Sequence, residues 1–256
     1  MNRIDELIQN MPTRIDRCDQ HGEFEARNFL GRVWSKCPEC AREEDAKRKE
    51  AEEAEARRLR RLRWESKIGA AGIPERFHAR TLDTFEAETP AQERALEFAR
   101  DYATNFAEVL KTGRCALFVG GPGTGKTHLA VGIGLRIMGA ENRTVLFATV
   151  MRAIRRVKDS WAKDSTETES QAIAALTYPD LLILDEVGVQ FGSDFERNIM
   201  FDVLNERYEK RRPTILLSNL SKDELVGFLG ERVFDRMRED GGKFIPFDWD
   251  SHRSKK

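Results

Sequence analysis

The sequence predicts an α/β fold: a parallel sheet with helices on both faces, preceded by a small cysteine-bearing module and a charged helix. Three observations carry this expectation. Short apolar runs (Cys115-Ala116-Leu117-Phe118-Val119, Thr144-Val145-Leu146-Phe147-Ala148, Leu181-Leu182-Ile183-Leu184 and Thr214-Ile215-Leu216-Leu217) alternate with helical patterns such as Leu129/Ile133/Ile137 and Ile199/Val203 beside Met200/Leu204. Strands that are apolar on both faces and separated by helices belong to a parallel sheet covered on either side. Residues 41–67 hold ten Lys/Arg and eight Asp/Glu and few β-branched side chains, as a solvated helix would. Three of the four cysteines lie in the first 40 residues.

Composition limits the alternatives. With 256 residues, the chain suits one sizeable domain plus an appendage, at roughly 100–200 residues per domain. A hydrophobic fraction of 40% is enough for a core, and a charged fraction of 34% demands an ionised surface. The net charge of −1 excludes a globally basic nucleic-acid binder but not a local basic patch. No apolar run reaches the roughly 18 residues of a membrane span, and Met1-Asn2-Arg3-Ile4-Asp5-Glu6 lacks a signal-peptide apolar core. A cytoplasmic protein is expected.

Taken in order, the chain divides at residues 1–40, 41–70 and 71–256. The opening Ile4/Leu7/Ile8/Met11 pattern is amphipathic, either a partner anchor or a packing helix. Cys18-Asp19-Gln20-His21 and Cys37-Pro38-Glu39-Cys40 then give C-x2-H and C-x2-C separated by 15 residues. Clustered cysteines in a reducing compartment read as ligands before disulfides, and this spacing suits a tetrahedral zinc ion held by three thiolates and an imidazole. Each pair is expected on a tight knuckle, backed by Phe24, Phe29 and Trp34; the alternative is free cysteines beside a surface histidine. A module this small buries too little to fold by itself, so metal would supply the missing folding energy. In residues 41–67, Glu43/Lys47, Glu44/Arg48, Asp45/Lys49 and Glu53/Arg57 are spaced i,i+4 with the acid first, the order that supports a helix. Such a helix would span about 40 Å. The pattern breaks at residues 69–74, where the composition becomes globular.

The first strand of the globular part leads into Gly120-Gly121-Pro122-Gly123-Thr124-Gly125-Lys126-Thr127, a full match to GxxxxGK[ST] between a strand and a helix. Glycines there let successive backbone N–H groups form an anion cradle, which the helix dipole reinforces. Gly121, Pro122, Gly123, Thr124, Gly125, Lys126, Thr127 and His128 are the candidate ATP contacts. Lys126 would reach the β- and γ-phosphates, and the Thr127 hydroxyl would ligate Mg²⁺. Asp185 ends the next-but-one strand, 58 residues after Thr127, and Glu186 follows it. Both belong at the carboxyl end of the sheet, where ligands of such folds bind. Asp185 would hold Mg²⁺ through water, and Glu186 would orient or deprotonate an attacking water. Asn219, closing the following strand, would either help hold that water or serve as a turn residue.

With these residues in place, the chain resembles an AAA+ ATPase. From about residue 72 to 253 it resembles the bacterial replicative-helicase loaders of the DnaC type and their IstB-type transposition relatives. Gly72-Ile73-Pro74-Glu75-Arg76-Phe77, the phosphate loop, the segment through Asp185-Glu186-Val187-Gly188-Val189-Gln190, Leu229-Gly230-Glu231-Arg232-Val233-Phe234-Asp235-Arg236-Met237 and Phe247-Asp248-Trp249-Asp250-Ser251-His252-Arg253 carry the likeness. The last two favour the loader over the transposition helper.

The resemblance implies a P-loop NTPase fold with a shortened or absent lid, in keeping with the 37 residues after Asn219. It also implies an ATPase that delivers a ring-shaped replicative DNA helicase and self-associates through its ATPase interface. Asn219 would be the first sensor, Arg236 the arginine finger for a neighbouring subunit's ATP, and Arg253 the second sensor; Arg232 is a helper or an interface ion pair. A guanidinium suits those roles because it shares two donors with a phosphate. The N-terminal module would bind the helicase. The family also places a DNA-contacting helix where Arg152, Arg155, Arg156 and Lys158 precede Trp161. Cations tracking a backbone beside a stacking aromatic suit single-stranded DNA, the alternative being a helix with a solvated basic face and a core tryptophan. Ser193 and Phe195 would line the same channel.

Overall fold

The cysteine-bearing segment is built of strands. β1 (Thr13–Cys18) and β2 (Gly22–Phe29) pair antiparallel, and β3 (Val33–Trp34) pairs with the end of β2. The register sets Cys18 opposite Gly22, so the turn between them carries His21 back beside the cysteine. Ala26 is fully buried, and the Arg14 guanidinium lies 4.3 Å from the centre of the half-buried Trp34 ring. Phe29, expected in the hydrophobic backing, is instead 44% exposed. The computed structural model describes residues 11–29, 31, 33–140, 142–188 and 194–252. The amphipathic start therefore lies outside the described residues, apart from Met11.

α1 (Pro38–Ala70) begins directly after Cys37, with Pro38 at its first position, where a missing N–H costs nothing. Cys37-x-x-Cys40 thus spans a helix N-terminus and not a knuckle. Of the expected i,i+4 pairs, Glu53–Arg57 forms at 3.7 Å. Three of the other acids turn elsewhere: Glu43 to His21, Glu44 to Lys36 and Asp45 to Arg48. The chain separates into two compact units at Trp64–Glu65, within this helix.

In the second unit, the Phe147 N–H donates to Ala71 O at 2.7 Å, which fixes the chain leaving α1 against an outer strand. Helices α2 (Pro90–Thr104) and α3 (Phe106–Thr112) precede the sheet, and Thr89 and Gln92 form a reciprocal capping box at the start of α2. The alternation then runs β4 (Ala116–Gly120), α4 (Lys126–Ala140), β5 (Val145–Thr149), α5 (Val150–Asp159), α6 (Glu169–Thr177), β6 (Leu181–Val187), α7 (Asp194–Glu209) and β7 (Thr214–Ser218). Two eight-residue helices, α8 (Lys222–Leu229) and α9 (Glu231–Arg238), lead back to β8 (Lys243–Phe247). The strands are parallel in the order β5-β6-β7-β4-β8. The strand order fits the fold that the resemblance implies, and among the described residues only α8 and α9 intervene before the chain returns to the sheet after β7. Leu117, Phe118, Leu182, Ile183, Ile215 and Leu217 are fully buried, as are Leu129, Ile133 and Ile137 of α4.

β8 escaped the sequence reading because Lys243 and Pro246 interrupt its apolar run. Proline is tolerated there because β8 is an edge strand, with no further ladder to supply. Among the described residues no helix is long and apolar enough to cross a membrane.

A buried arginine locks the lower end of the sheet. Arg207 is 1% exposed and donates to Thr214 Oγ1 (2.9 Å), to the carbonyls of Leu176, Thr177 and Pro179 (each 3.0 Å) and to Pro213 O (2.6 Å). Burial, joined by the nearby Arg212 charge, pushes its pKa down; these acceptors answer the charge, and the guanidinium ties the end of α6 to the starts of β6 and β7. Arg207→Met should lower the unfolding free energy by about 3 kcal/mol, because it strands several buried carbonyls. Urea denaturation checks this.

Candidate functional site

β4 runs straight into the phosphate loop. Its last residue, Gly120, has φ +153°, and a Cβ there would lie 2.1 Å from Phe247 O, so β4 and β8 approach too closely for any side chain. Gly123 (φ +79°) and Gly125 (φ +97°) occupy conformations that L side chains rarely adopt, which turns the loop back toward the start of α4. Lys126, only 7% exposed, reaches over the loop and donates to Gly120 O and Gly121 O, both at 2.7 Å. Thr124 Oγ1 donates to Gly121 O at 2.8 Å. The loop is therefore a closed turn, with Gly121, Pro122, Gly123, Thr124 and Gly125 arranged around the amine.

Neighbouring segments hold it from outside. His128 Nε2 lies 2.9 Å from Thr81 O and 3.2 Å from Thr84 Oγ1, and its ring meets Phe85 edge-on at 5.3 Å. On the C-terminal side, Trp249 Nε1 donates to Thr124 O at 2.9 Å and the His252 N–H to Gly123 O at 3.1 Å. The sequence analysis missed Thr81, Thr84 and Phe85. It used Trp249 only as part of a resemblance, since hydrogen bonds to loop carbonyls leave no motif.

The acid pair stands opposite. Thr127 Oγ1 donates to Asp185 Oδ2 at 3.0 Å, joining α4 to β6 across 58 residues. The other Asp185 oxygen accepts from the Glu186 N–H at 2.7 Å. Glu186 is exposed and left-handed (φ +61°), and the β6–β7 register shifts between Leu184 and Val187. A non-glycine residue held there stores strain, a recurrent mark of functional positions. The buried Ser218 donates to Val187 O at 2.6 Å and ties the ends of β6 and β7 together; the exposed Asn219 follows.

The arginines are less assembled. Arg236 is half-buried, donates to Asn205 Oδ1 of α7 at 2.6 Å and lies over Tyr208 at 4.7 Å, while Arg232 is exposed. Arg253 and Ser193 lie outside the described residues. On α5, Val150, Ala153, Ile154 and Val157 face the core while Arg152, Arg155, Arg156 and Lys158 are exposed. Arg156 pairs with Glu167 at 2.6 Å and Lys158 with Glu196 at 3.1 Å, so these two cations are partly neutralised. Trp161 is 42% exposed, which excludes the core-tryptophan reading, and stands edge-on to Phe195 at 4.9 Å.

In the N-terminal unit, Cys18, His21, Cys37 and Cys40 converge, with one donor atom from each and all within 4.8 Å of one another. Cys18 Sγ is 3.4 Å from Cys40 Sγ, and His21 Nδ1 lies 3.8, 3.7 and 3.3 Å from the sulfurs of Cys18, Cys37 and Cys40. Zinc–sulfur bonds of about 2.3 Å set tetrahedral edges close to these separations. The Gln20 and His21 backbone N–H groups hold the Cys18 thiol down, to about 6, whereas its neighbour Cys18 pushes Cys40 up, to about 12. Cys18 therefore gives up its proton before Cys40. His21 Nε2 is 3.1 Å from Glu43 Oε1, a partner the sequence could not single out from the other acids of α1.

A family model described as "IstB-like ATP binding protein" matches residues 46–252. The chain belongs to the IstB-like ATP-binding family. The replicative helicase loader DnaC of Escherichia coli (strain K12) is 34% identical over 261 residues, spanning 100% of this chain and 98% of that protein. The DnaC of Buchnera aphidicola subsp. Acyrthosiphon pisum (strain APS) is 33% identical over 192 residues, 75% of this chain and 76% of its own. A crystal structure of the DnaC helicase loader superposes with a TM-score of 0.61 at 26% identity, covering 68% of this chain and 99% of that one. The resemblance to DnaC-type loaders and the AAA+ fold drawn from the sequence both hold.

His128 supplies a pH test of the packing behind the loop. Burial pushes its imidazole below the ordinary value, so the folded state favours the neutral ring. The stability this represents is fully present above the unfolded value of about 6.5 and is lost as pH falls through the lowered one. The melting temperature of wild type should therefore fall more steeply than that of His128→Gln as pH drops below about 6.5, because the glutamine side chain does not titrate.

Proposed function

We propose that this chain is an ATP-driven loader that delivers a ring-shaped replicative DNA helicase onto single-stranded DNA during replication initiation. The Thr127–Asp185 hydrogen bond at 3.0 Å carries the enzymatic part, because it unites the phosphate loop with the acid of β6. Similarity to a replicative helicase loader along the whole chain supplies the partner. The transposition-helper alternative has less support: the IstB-like match begins at residue 46, whereas the loader similarity takes in the N-terminal module as well.

In this reading the loop amides and Lys126 bind the β- and γ-phosphates of ATP, with Lys126 exchanging the Gly120 and Gly121 carbonyls for phosphate oxygens. Thr127 and Asp185 form an all-oxygen donor pair that suits magnesium. When bound, the ion would offset the negative charge that develops on the phosphates. Glu186 accepts the proton of the attacking water at its carboxylate, and Asn219 orients that water. Arg236 reaches a neighbouring protomer's nucleotide in a self-assembled complex. Its Nη1 is committed to Asn205, but the guanidinium has further donors. Arg253 acts as the second sensor.

Arg155, Arg156 and Lys158 track the DNA backbone, while Trp161 and Phe195 offer ring surfaces to bases; Ser193, outside the described residues, is assigned to the same channel from the sequence alone. Cys18, His21, Cys37 and Cys40 hold a structural zinc ion through Nδ1 of the histidine, and residues 1–40 with the charged helix to 70 form the helicase-binding arm. The protein works in the cytoplasm.

The decisive experiment mixes the chain with a replicative helicase, ATP and single-stranded DNA, then measures complex mass and phosphate release. Wild type should form the complex and release phosphate; absence of a complex with any replicative helicase would refute the loader. Lys126→Ala should lose ATP retention. Glu186→Gln should retain ATP but slow phosphate release about a hundredfold or more, the usual contribution of a general base. Metal analysis should find zinc on the wild type, and Glu43→Ala should weaken its retention against a chelator by about 10- to 100-fold, as loss of a histidine's outer partner does.

A further inference from the structure

Every peptide carbonyl has to be answered, and the carbonyls of the phosphate loop show where the answers come from. Gly121 O accepts from the loop's own Thr124 hydroxyl, and Gly120 O and Gly121 O both accept from Lys126. Gly125 O accepts from the Leu129 N–H as the first helical bond of α4. Of the three carbonyls between them, two are served from outside, by the segment that follows β8: Gly123 O by the His252 N–H at 3.1 Å and Thr124 O by the Trp249 indole at 2.9 Å.

That segment stands on a firm base. Phe247 is 1% exposed, its ring lies 5.2 Å from Phe118 of β4, and the Trp249 ring lies 4.8 Å from Phe247. The close approach of Gly120 to Phe247 O joins the same two strands at the mouth of the loop.

We infer that Trp249, with the His252 amide, is a positioning clasp for the nucleotide's phosphates. In a planar trans peptide the C=O and the N–H of the next residue point in opposite directions. Holding Gly123 O and Thr124 O outward therefore aims the Thr124 and Gly125 N–H groups to the inner side of the turn. Among the described residues no protein group accepts from the N–H groups of Gly123, Thr124 or Gly125. The positive φ values of Gly123 and Gly125 place those donors in the concave arrangement that binds anions. Trp249 touches no phosphate; it acts through the orientation of the peptides that do. This inference rests on the proposed nucleotide site and names a further residue that builds it.

The test compares wild type, Trp249→Phe, Trp249→Ala and the control Tyr178→Phe, all in the full chain. Trp249→Phe keeps a ring against Phe247 and removes only the donor. Equilibrium titration with a fluorescent ADP and a fluorescent ATP should show both dissociation constants rising about 3- to 10-fold in Trp249→Phe, the usual worth of one hydrogen bond. The turnover number at saturating ATP should stay within about twofold of wild type, and Tyr178→Phe, at an exposed ring outside the proposed sites, should match wild type throughout. Amide hydrogen exchange at residues 123–126 of the nucleotide-free chain should be faster in Trp249→Phe, a readout that needs no ligand. Unchanged dissociation constants with unchanged exchange in Trp249→Phe would overturn the clasp, as would a fall in turnover at unaltered affinity. If Trp249→Ala fails to fold, Trp249→Phe decides alone. Wild type that binds neither nucleotide would instead refute the nucleotide site itself, and the exchange comparison still judges the clasp.

Discussion

One hydrogen bond organises the second unit: Thr127 Oγ1 to Asp185 Oδ2. It requires α4 to begin at the phosphate loop and β6 to end level with it, and that requires β7 between β6 and β4. A sheet of parallel strands delivers this geometry because all its carboxyl ends face the same way, so residues far apart in sequence reach one edge together. Ser218 reinforces the arrangement by holding the end of β7 to Val187, just past the acid pair. The backbone yields locally to make room, with Glu186 left-handed and the β6–β7 ladder shifted by a bulge. The strain falls on one residue, and the buried strands either side of it are rigid enough to impose it.

How much of this was legible depended on whether a feature is written in side chains. Strands β4 to β7 were read within a residue or two at most boundaries, because Leu117, Leu182 and Ile215 are apolar on both faces of a covered sheet and such runs have few other uses. The phosphate loop and Asp185 were legible for the opposite reason: their chemistry restricts which residues can serve. β8 was hidden because a proline on an edge strand looks like a proline in a loop. β1 and β2 were hidden because Arg14, Asp16 and Arg17 give a polar, half-solvated pattern that becomes a hairpin only through pairing. Trp249 and the amide of His252 act on carbonyls, which every residue carries, so the sequence could not announce them.

The N-terminal unit makes the same point at smaller scale. The ligand spacing was readable, and the four donor atoms do converge. The scaffold that brings them together was not: a hairpin turn delivers Cys18 and His21, and the first turn of a helix delivers Cys40. Glu43 was invisible among the acids of α1, since only the folded arrangement distinguishes it from Glu44, which turns to Lys36. Surface charges that look interchangeable along a helix thus divide into one that orients a histidine and others that merely keep the helix hydrated.

The contact between Gly120 and Phe247 has a consequence for inheritance. Any substitution at position 120 adds at least a methyl group, and that carbon would sit 2.1 Å from a main-chain oxygen of the neighbouring strand. Drift at this glycine can survive only if the edge strand withdraws, and the rings stacked behind it would lose their seat. The phosphate loop and the edge strand β8 are thereby bound to a common evolutionary fate, although more than a hundred positions separate them.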